Sequence, residues 1–249
     1  MTIHPDLHAA FSQGHALKII SGLTNFDTAN VLAVAKAAQQ GGATFVDIAA
    51  DAELVRQVAQ HIDLPICVSA IDPKAFLAPV AAGAALIEIG NFDAFYAQGL
   101  TFDANDVLTL TQQTRELLPY IPLSVTVPHT LLLDEQVQLA ENLVAAGVDI
   151  IQTEGGTSSQ PVHSGSVGLI EKATPTLAAA HAISRAVSVP VLCASGISDV
   201  TAPMAISAGA AGVGVGSAVN KLNNEIAMIA AVRSLREALQ TVTRSIEKV

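Results

Sequence analysis

Eight short apolar runs of four to six residues recur along the chain, with stretches of helical period between them. The runs lie at 17–21, 44–49, 66–70, 86–90, 123–127, 150–153, 191–194 and 212–215. A short apolar run bounded by turn residues is the signature of a strand buried on both faces, and strands that alternate with helices form a parallel sheet. Helices are predicted at 28–40, 52–61, 74–82, 105–118, 134–146, 175–186, 200–208 and 225 to about 247. The fold class is therefore α/β, a single (β/α)8 TIM barrel, and 249 residues suit one such domain of roughly 250. Residues 1–16 form an N-terminal segment and 221–249 carry the C-terminal helix.

Punctuation supports this reading. Gly42, Gly83, Gly147 and Gly209 each follow an Ala-rich helix end, where glycine turns the chain back toward the sheet. Pro65, Pro122 and Pro190 introduce strands three, five and seven, where proline stops a helix and sits at a strand start.

Barrel chemistry belongs to the C-terminal ends of the strands. Strand seven ends in Ser195-Gly196-Ile197 and strand eight in Gly216-Ser217-Ala218, small residues that leave backbone N–H groups free to meet at one spot. Phosphate-binding turns after strands seven and eight are expected, with a phosphorylated small molecule as partner; the plainer role for both glycines is a tight turn. Two loops are longer than a scaffold needs, 91–103 and 154–174, and the second is the expected lid.

Polar residues at strand ends are conspicuous in so apolar a chain, and their burial calls for a network. Lys18 suits a fixed cation, a Schiff-base amine, or a structural ion pair with Asp47 or Glu88. Asp47 and Glu88 are flanked by apolar neighbours and should point into the barrel. His129 after strand five is the histidine best placed for proton transfer, and Glu154 joins these four as a candidate catalytic group. Gln152 or Glu154 can hydrogen-bond a ring edge while Gly155 and Gly156 admit a flat ligand, a combination that suits a flavin, FMN as cofactor, as well as a sugar phosphate. No histidine pair has metal-ligand spacing, so no metal site is assigned, although Asp47, Asp72 and Glu88 are the acids a divalent ion would use.

Composition narrows the classes. A net charge of −10 with scattered basic residues argues against nucleic acid. Gly and Ser interrupt the most apolar stretch, 204–219, which reads as buried barrel instead of membrane. Cys67 and Cys193 fall inside strands and look like small core residues in a reducing compartment. Residues 1–16 lack a secretory pattern. A homo-oligomer through the Ala-rich outer helices is the one protein partner the pattern suggests.

Taken together, KIISGLTNFD at 18–27, VDIAAD at 46–51, CVSAIDP at 67–73, EIGNFD at 88–93, VTVPH at 125–129, QTEGGT at 152–157 and GVGVGSAVN at 212–220 resemble the Ycf23 family, DUF561. The likeness covers about 18–220 and implies a cyanobacterial or plastid origin, hence cytoplasm or plastid stroma, without a known reaction. More distantly, strand ends seven and eight look like those of FMN- and phosphate-binding barrels such as nitronate monooxygenases and inosine-monophosphate dehydrogenases. That likeness implies phosphate contacts at Ser195, Gly196, Gly216 and Ser217. The chain departs from them at Thr157, where a histidine is typical, and lacks the catalytic cysteine loop. The leading expectation is an FMN-dependent oxidoreductase. The alternatives are an isomerase, aldolase or lyase on a sugar-phosphate-type metabolite, and a non-catalytic metabolite-binding regulator.

Overall fold

Every predicted run is a strand in the computed structural model, which describes residues 4–96 and 98–242. The strands are β1 Ala16–Ile20, β2 Phe45–Ala49, β3 Ile66–Ala70, β4 Leu86–Ile89, β5 Leu123–Thr126, β6 Ile150–Gln152, β7 Val191–Ala194 and β8 Gly212–Val215. Neighbours pair in parallel in sequence order, and β8 returns to pair with β1, closing the barrel. Closure leaves no strand edge to protect.

The pleat sorts side chains two ways. Leu17, Ile19, Val46, Ile48, Val68 and Ile87 point outward into the layer shared with the helices. Ala16, Phe45, Cys67, Leu86, Ile150 and Leu192 point inward at the N-terminal end, where Leu7 and Phe11 pack on them. Those two come from α1 Pro5–Gln13, a helix absent from the predicted set that stops the N-terminal end of the barrel.

Around the outside run α2 Thr28–Gly41, α3 Ala52–Ala59, α4 Leu77–Ala81, α5 Asp93–Tyr96, α6 Ala104–Leu117, α7 Leu133–Ala145, α8 Gly165–Ala186, α9 Ala202–Ser207, α10 Ser217–Asn220 and α11 Glu225–Gln240. The three strand-leading prolines each use the one backbone group proline retains. The carbonyls of Pro65, Pro122 and Pro190 accept from Val46, Ile87 and Ile151 of the preceding strand at 3.1, 3.0 and 3.0 Å.

Several predicted boundaries are corrected. The expected lid is shorter, because α8 begins at Gly165 and runs through Pro175. Proline has no amide to give the Glu171 carbonyl, and Ser159 Oγ donates to that carbonyl at 3.2 Å instead, so the helix loses one internal bond and continues. The helix expected at 74–82 is a 3-10 turn, Pro73–Phe76, leading into α4, with Asp72 capping the amide of Lys74. α9 starts at Ala202, two residues late, with a proline in its first turn. The last helix is described to Gln240, and its predicted end near 247 lies outside the described residues. The loop at 91–103 contains α5.

Candidate active site

Beyond the apolar plug the barrel interior turns polar. Lys18 Nζ lies 2.7 Å from Glu88 Oε2, 3.0 Å from Gln152 Oε1 and 3.1 Å from Asp47 Oδ2, and all four residues are buried. Gln152 Nε2 donates to Glu88 Oε1 at 2.7 Å and to Thr126 Oγ1 at 3.1 Å. Ser69 Oγ donates to Asp47 Oδ1 at 2.5 Å, and Ser124 Oγ to Glu88 Oε2 at 2.7 Å. Asp47 Oδ2, close to the ammonium, has no aligned hydrogen bond; its attraction to Lys18 is Coulombic.

One cation thus faces two carboxylates. Burial disfavours the Lys18 charge, but Asp47 and Glu88 outweigh it and hold the amine above the ordinary lysine range. Burial drives Asp47 up to about 6, against the pull of Lys18. An amine kept protonated has no lone pair for a Schiff base. Lys18, Asp47, Glu88 and Gln152 form the inward network expected of them, but none lines the cavity at the mouth; they form a separate layer deeper in the barrel. Gln152 has its amide spent on Glu88, Thr126 and Lys18, which corrects its assignment to a cofactor. Asp72 caps the 3-10 turn, so the acids first considered for a metal do not converge.

A second cluster sits two residues further along the chain from Gln152. Glu154 Oε1 accepts from Tyr96 Oη at 2.5 Å and from the backbone N and Nδ1 of His129, both at 3.1 Å. Its Oε2 accepts from the amide of Asp93 at 3.2 Å. Asp93 Oδ2 accepts from Ser195 Oγ at 2.7 Å, and its Oδ1 lies 3.5 Å from His129 Nδ1. Burial raises the Glu154 carboxyl, and the hydrogen bond to Glu154 raises the His129 imidazole. Burial and the neighbouring Glu154 charge push the Tyr96 phenol well up. With Nδ1–H turned to the carboxylates, the neutral ring keeps its lone pair on Nε2.

The turn after β4 brings Asp93 here. Gly90 has φ +145° and room only for a hydrogen against Thr126, and Asn91 follows at φ +59°, a conformation asparagine tolerates better than most residues. Asn91 Nδ2 also reaches Glu88 Oε1 at 3.1 Å, linking the Lys18 layer to the mouth. Asp93 and Tyr96 were not among the sequence-predicted site residues.

A cavity of about 220 Å³ opens between the ends of β1, β4, β6, β7 and β8. Ser195, Gly196, Ile197, Gly216 and Ser217 line it, together with Asp93 and Glu154. The amides of Gly196, Ile197, Gly216 and Ser217 meet no acceptor among the described residues. Thr157 N donates to Ser195 Oγ at 3.0 Å, tying the β6 turn to the β7 turn. His129 stands behind Asp93 and Glu154, outside the lining.

Gly155 and Gly156 do not line the cavity, and this is a correction. A Cβ at Gly155 would come within 3.0 Å of Pro175 and 3.2 Å of His129, while one at Gly156 would collide with the Ser195 carbonyl and Gly196. Both glycines let chain pack on chain, so they offer a flat ring no edge. The residues present do not fit a flavin on that side, and the cavity volume is below the roughly 300–1,000 Å³ usual for such sites.

The family described as "Protein of unknown function (DUF561)" matches residues 3–245. "Uncharacterized protein ycf23" of Cyanophora paradoxa is 47% identical over 218 residues, covering 87% of this chain and 89% of the relative. Among solved structures, 3-hexulose-6-phosphate synthase superposes with a TM-score of 0.62 at 16% identity, covering 90% of this chain and 99% of that one. The (S)-3-O-geranylgeranylglyceryl phosphate synthase of Thermoplasma acidophilum, in complex with sn-glycerol-1-phosphate, gives 0.60 at 14% identity, with 97% and 100% coverage. At such identities the likeness is one of fold. Synthase barrels of this kind lend no support to the suggested likeness to FMN barrels.

Proposed function

The chain belongs to the DUF561 family, the Ycf23 proteins, and from that premise we propose that it is an enzyme of aldolase, lyase or isomerase type acting on a small phosphorylated metabolite. One observation carries the reading: the free amides of the β7 and β8 turns share a single small cavity with the carboxylates of Asp93 and Glu154. The amides take the phosphate, and the organic end of the metabolite lies toward Asp93. Asp93 takes or gives the proton, backed by His129, which Glu154 holds in place. The Lys18 layer beneath stays fixed. Two of the structural neighbours are named for phosphate compounds, which supports the phosphate half by fold-level analogy.

This reverses the order expected from sequence. A flavin has less support, since its two supporting glycines are filled by protein. No described helix is long and apolar enough to cross a membrane, and buried free Cys67 and Cys193 suit the cyanobacterial cytoplasm or plastid stroma.

The test is a thermal-shift screen of sugar phosphates and related phosphorylated metabolites, with hits followed by NMR for conversion. The expected result is a raised Tm and turnover by the natural chain. Asp93→Asn should bind the same compound and lose about 10²–10⁴ in rate, the range of a lost acid–base group. A compound bound and returned unaltered would make the protein a sensor; no shift with any phosphate compound would end the reading.

A further inference from the structure

We infer that Asp93, His129 and Glu154 bind one divalent first-row cation beside the phosphate position, so that the proposed enzyme is metal-assisted. The inference takes its ligand from the phosphate reading above and its metal from the geometry of these three side chains. They converge from the ends of three adjacent strands, with one donor atom from each lying within 4.8 Å of the others. His129 Nδ1 is 3.1 Å from Glu154 Oε1 and 3.5 Å from Asp93 Oδ1. Ligands held about 2.1 Å from a cation, at right to tetrahedral angles, stand roughly 3.0–3.4 Å apart, so both edges that meet at the histidine are near coordination spacing. One imidazole and two carboxylates suit ions such as Mn²⁺ or Zn²⁺ over thiophilic metals.

The charge of the cavity is a separate observation pointing the same way. Its lining carries two carboxylates and, among the described residues, no Lys or Arg. Lys18 lies below, where Asp47 and Glu88 more than cancel it. A phosphate seated on the β7 turn would stand next to Asp93, because Ser195 of that turn donates directly to Asp93 Oδ2 at 2.7 Å. Amide dipoles alone would have to hold a dianion against two carboxylates. A divalent cation at the cluster, held through Asp93 Oδ1, balances Asp93 and Glu154, leaves coordination positions for an oxygen of the ligand, and leaves Asp93 Oδ2 for the proton. On binding, the imidazole stays neutral, with its one proton on Nε2 and the Nδ1 lone pair on the metal. The Tyr96 hydroxyl and the Asp93 amide keep Glu154 oriented, as outer partners of metal ligands do.

The direct test uses full-length protein stripped with EDTA and titrated with MnCl₂, free Mn²⁺ being read by its EPR signal. One Mn²⁺ per chain is expected, with binding about tenfold or more weaker in both Asp93→Asn and His129→Gln. Both variants leave the Glu154 carboxylate in place, and their Tm values verify folding. No Mn²⁺ binding by the natural chain, or unchanged titrations in both folded variants, would overturn the site. Inorganic phosphate, added to the protein both without and with Mn²⁺, separates the two proposals. Phosphate that raises Tm where Mn²⁺ fails to bind ends the metal site and leaves the phosphate reading standing. Mn²⁺ bound at the cluster without any effect of phosphate upholds the metal and counts against the phosphate reading.

Discussion

Asp47 is buried with half a cation to itself, and this sets a pH dependence. Its carboxyl is raised to about 6 in the folded chain, against 3.8 for the free group. Between those values the folded state holds a proton that the unfolded state has released. This residue's contribution is therefore fully present below the unfolded value and lost as pH rises through the folded one, by about 2–3 kcal/mol. Asp47→Asn should remove that fall: the difference in urea stability between variant and natural chain should change by that amount from pH 4 to 7. A difference that stays constant would mean Asp47 does not titrate there. Lys18→Met strands two carboxylates in the same layer and should cost about 3–5 kcal/mol in the same assay at pH 7. That Lys18, Asp47 and Glu88 point inward was legible, because alternation decides which face a side chain takes. Their saturation of one another was not, since they meet only when distant strands close the ring. Asp93 and Tyr96 escaped for a different reason: α5 has four residues and no periodic signal, and the positive φ of Asn91 that swings it over the mouth leaves no mark in composition.

One helix pair here meets at a single glycine. Gly41, the last residue of α2, packs against Val232 of α11, and a Cβ there would collide with that side chain. Alanine would gain about 1 kcal/mol in helix propensity, while overpacking costs about 1–3 kcal/mol. Gly41→Ala should thus be neutral to destabilised by about 2 kcal/mol, a lower Tm being the expected sign. A rise in Tm would show that α11 yields freely. The strand positions were readable because prolines and glycines mark their starts. The beginning of α8 was not, because Pro175 reads as a helix start and the group that makes it tolerable, Ser159, lies in the preceding loop. Gly155 and Gly156 show the same limit: a glycine pair signals close approach without saying whether ligand or backbone approaches.

At the scale of the molecule, eight strands in register order followed from the count and spacing of apolar runs, while the stopper of α1 did not, its nine residues being too polar to announce a core helix. Phe11 packs on Phe45 inside the barrel end with centroids 6.1 Å apart. Phe11→Ala should cost about 3–5 kcal/mol by chemical denaturation, as a buried aromatic truncated in a core does. A loss under 1 kcal/mol would mean that α1 rests on the barrel without supporting it. With that end stopped and the Lys18 layer spanning the waist, the barrel is a cup, not a tube. Arrivals and departures share one doorway, and at its rim stand Thr157, whose amide donates to Ser195 Oγ, and Ser158, whose hydroxyl donates to Asp93 Oδ1 at 3.3 Å. A spent molecule must clear that doorway before a fresh one enters, so the cup empties and refills in turn, whatever reaction it contains.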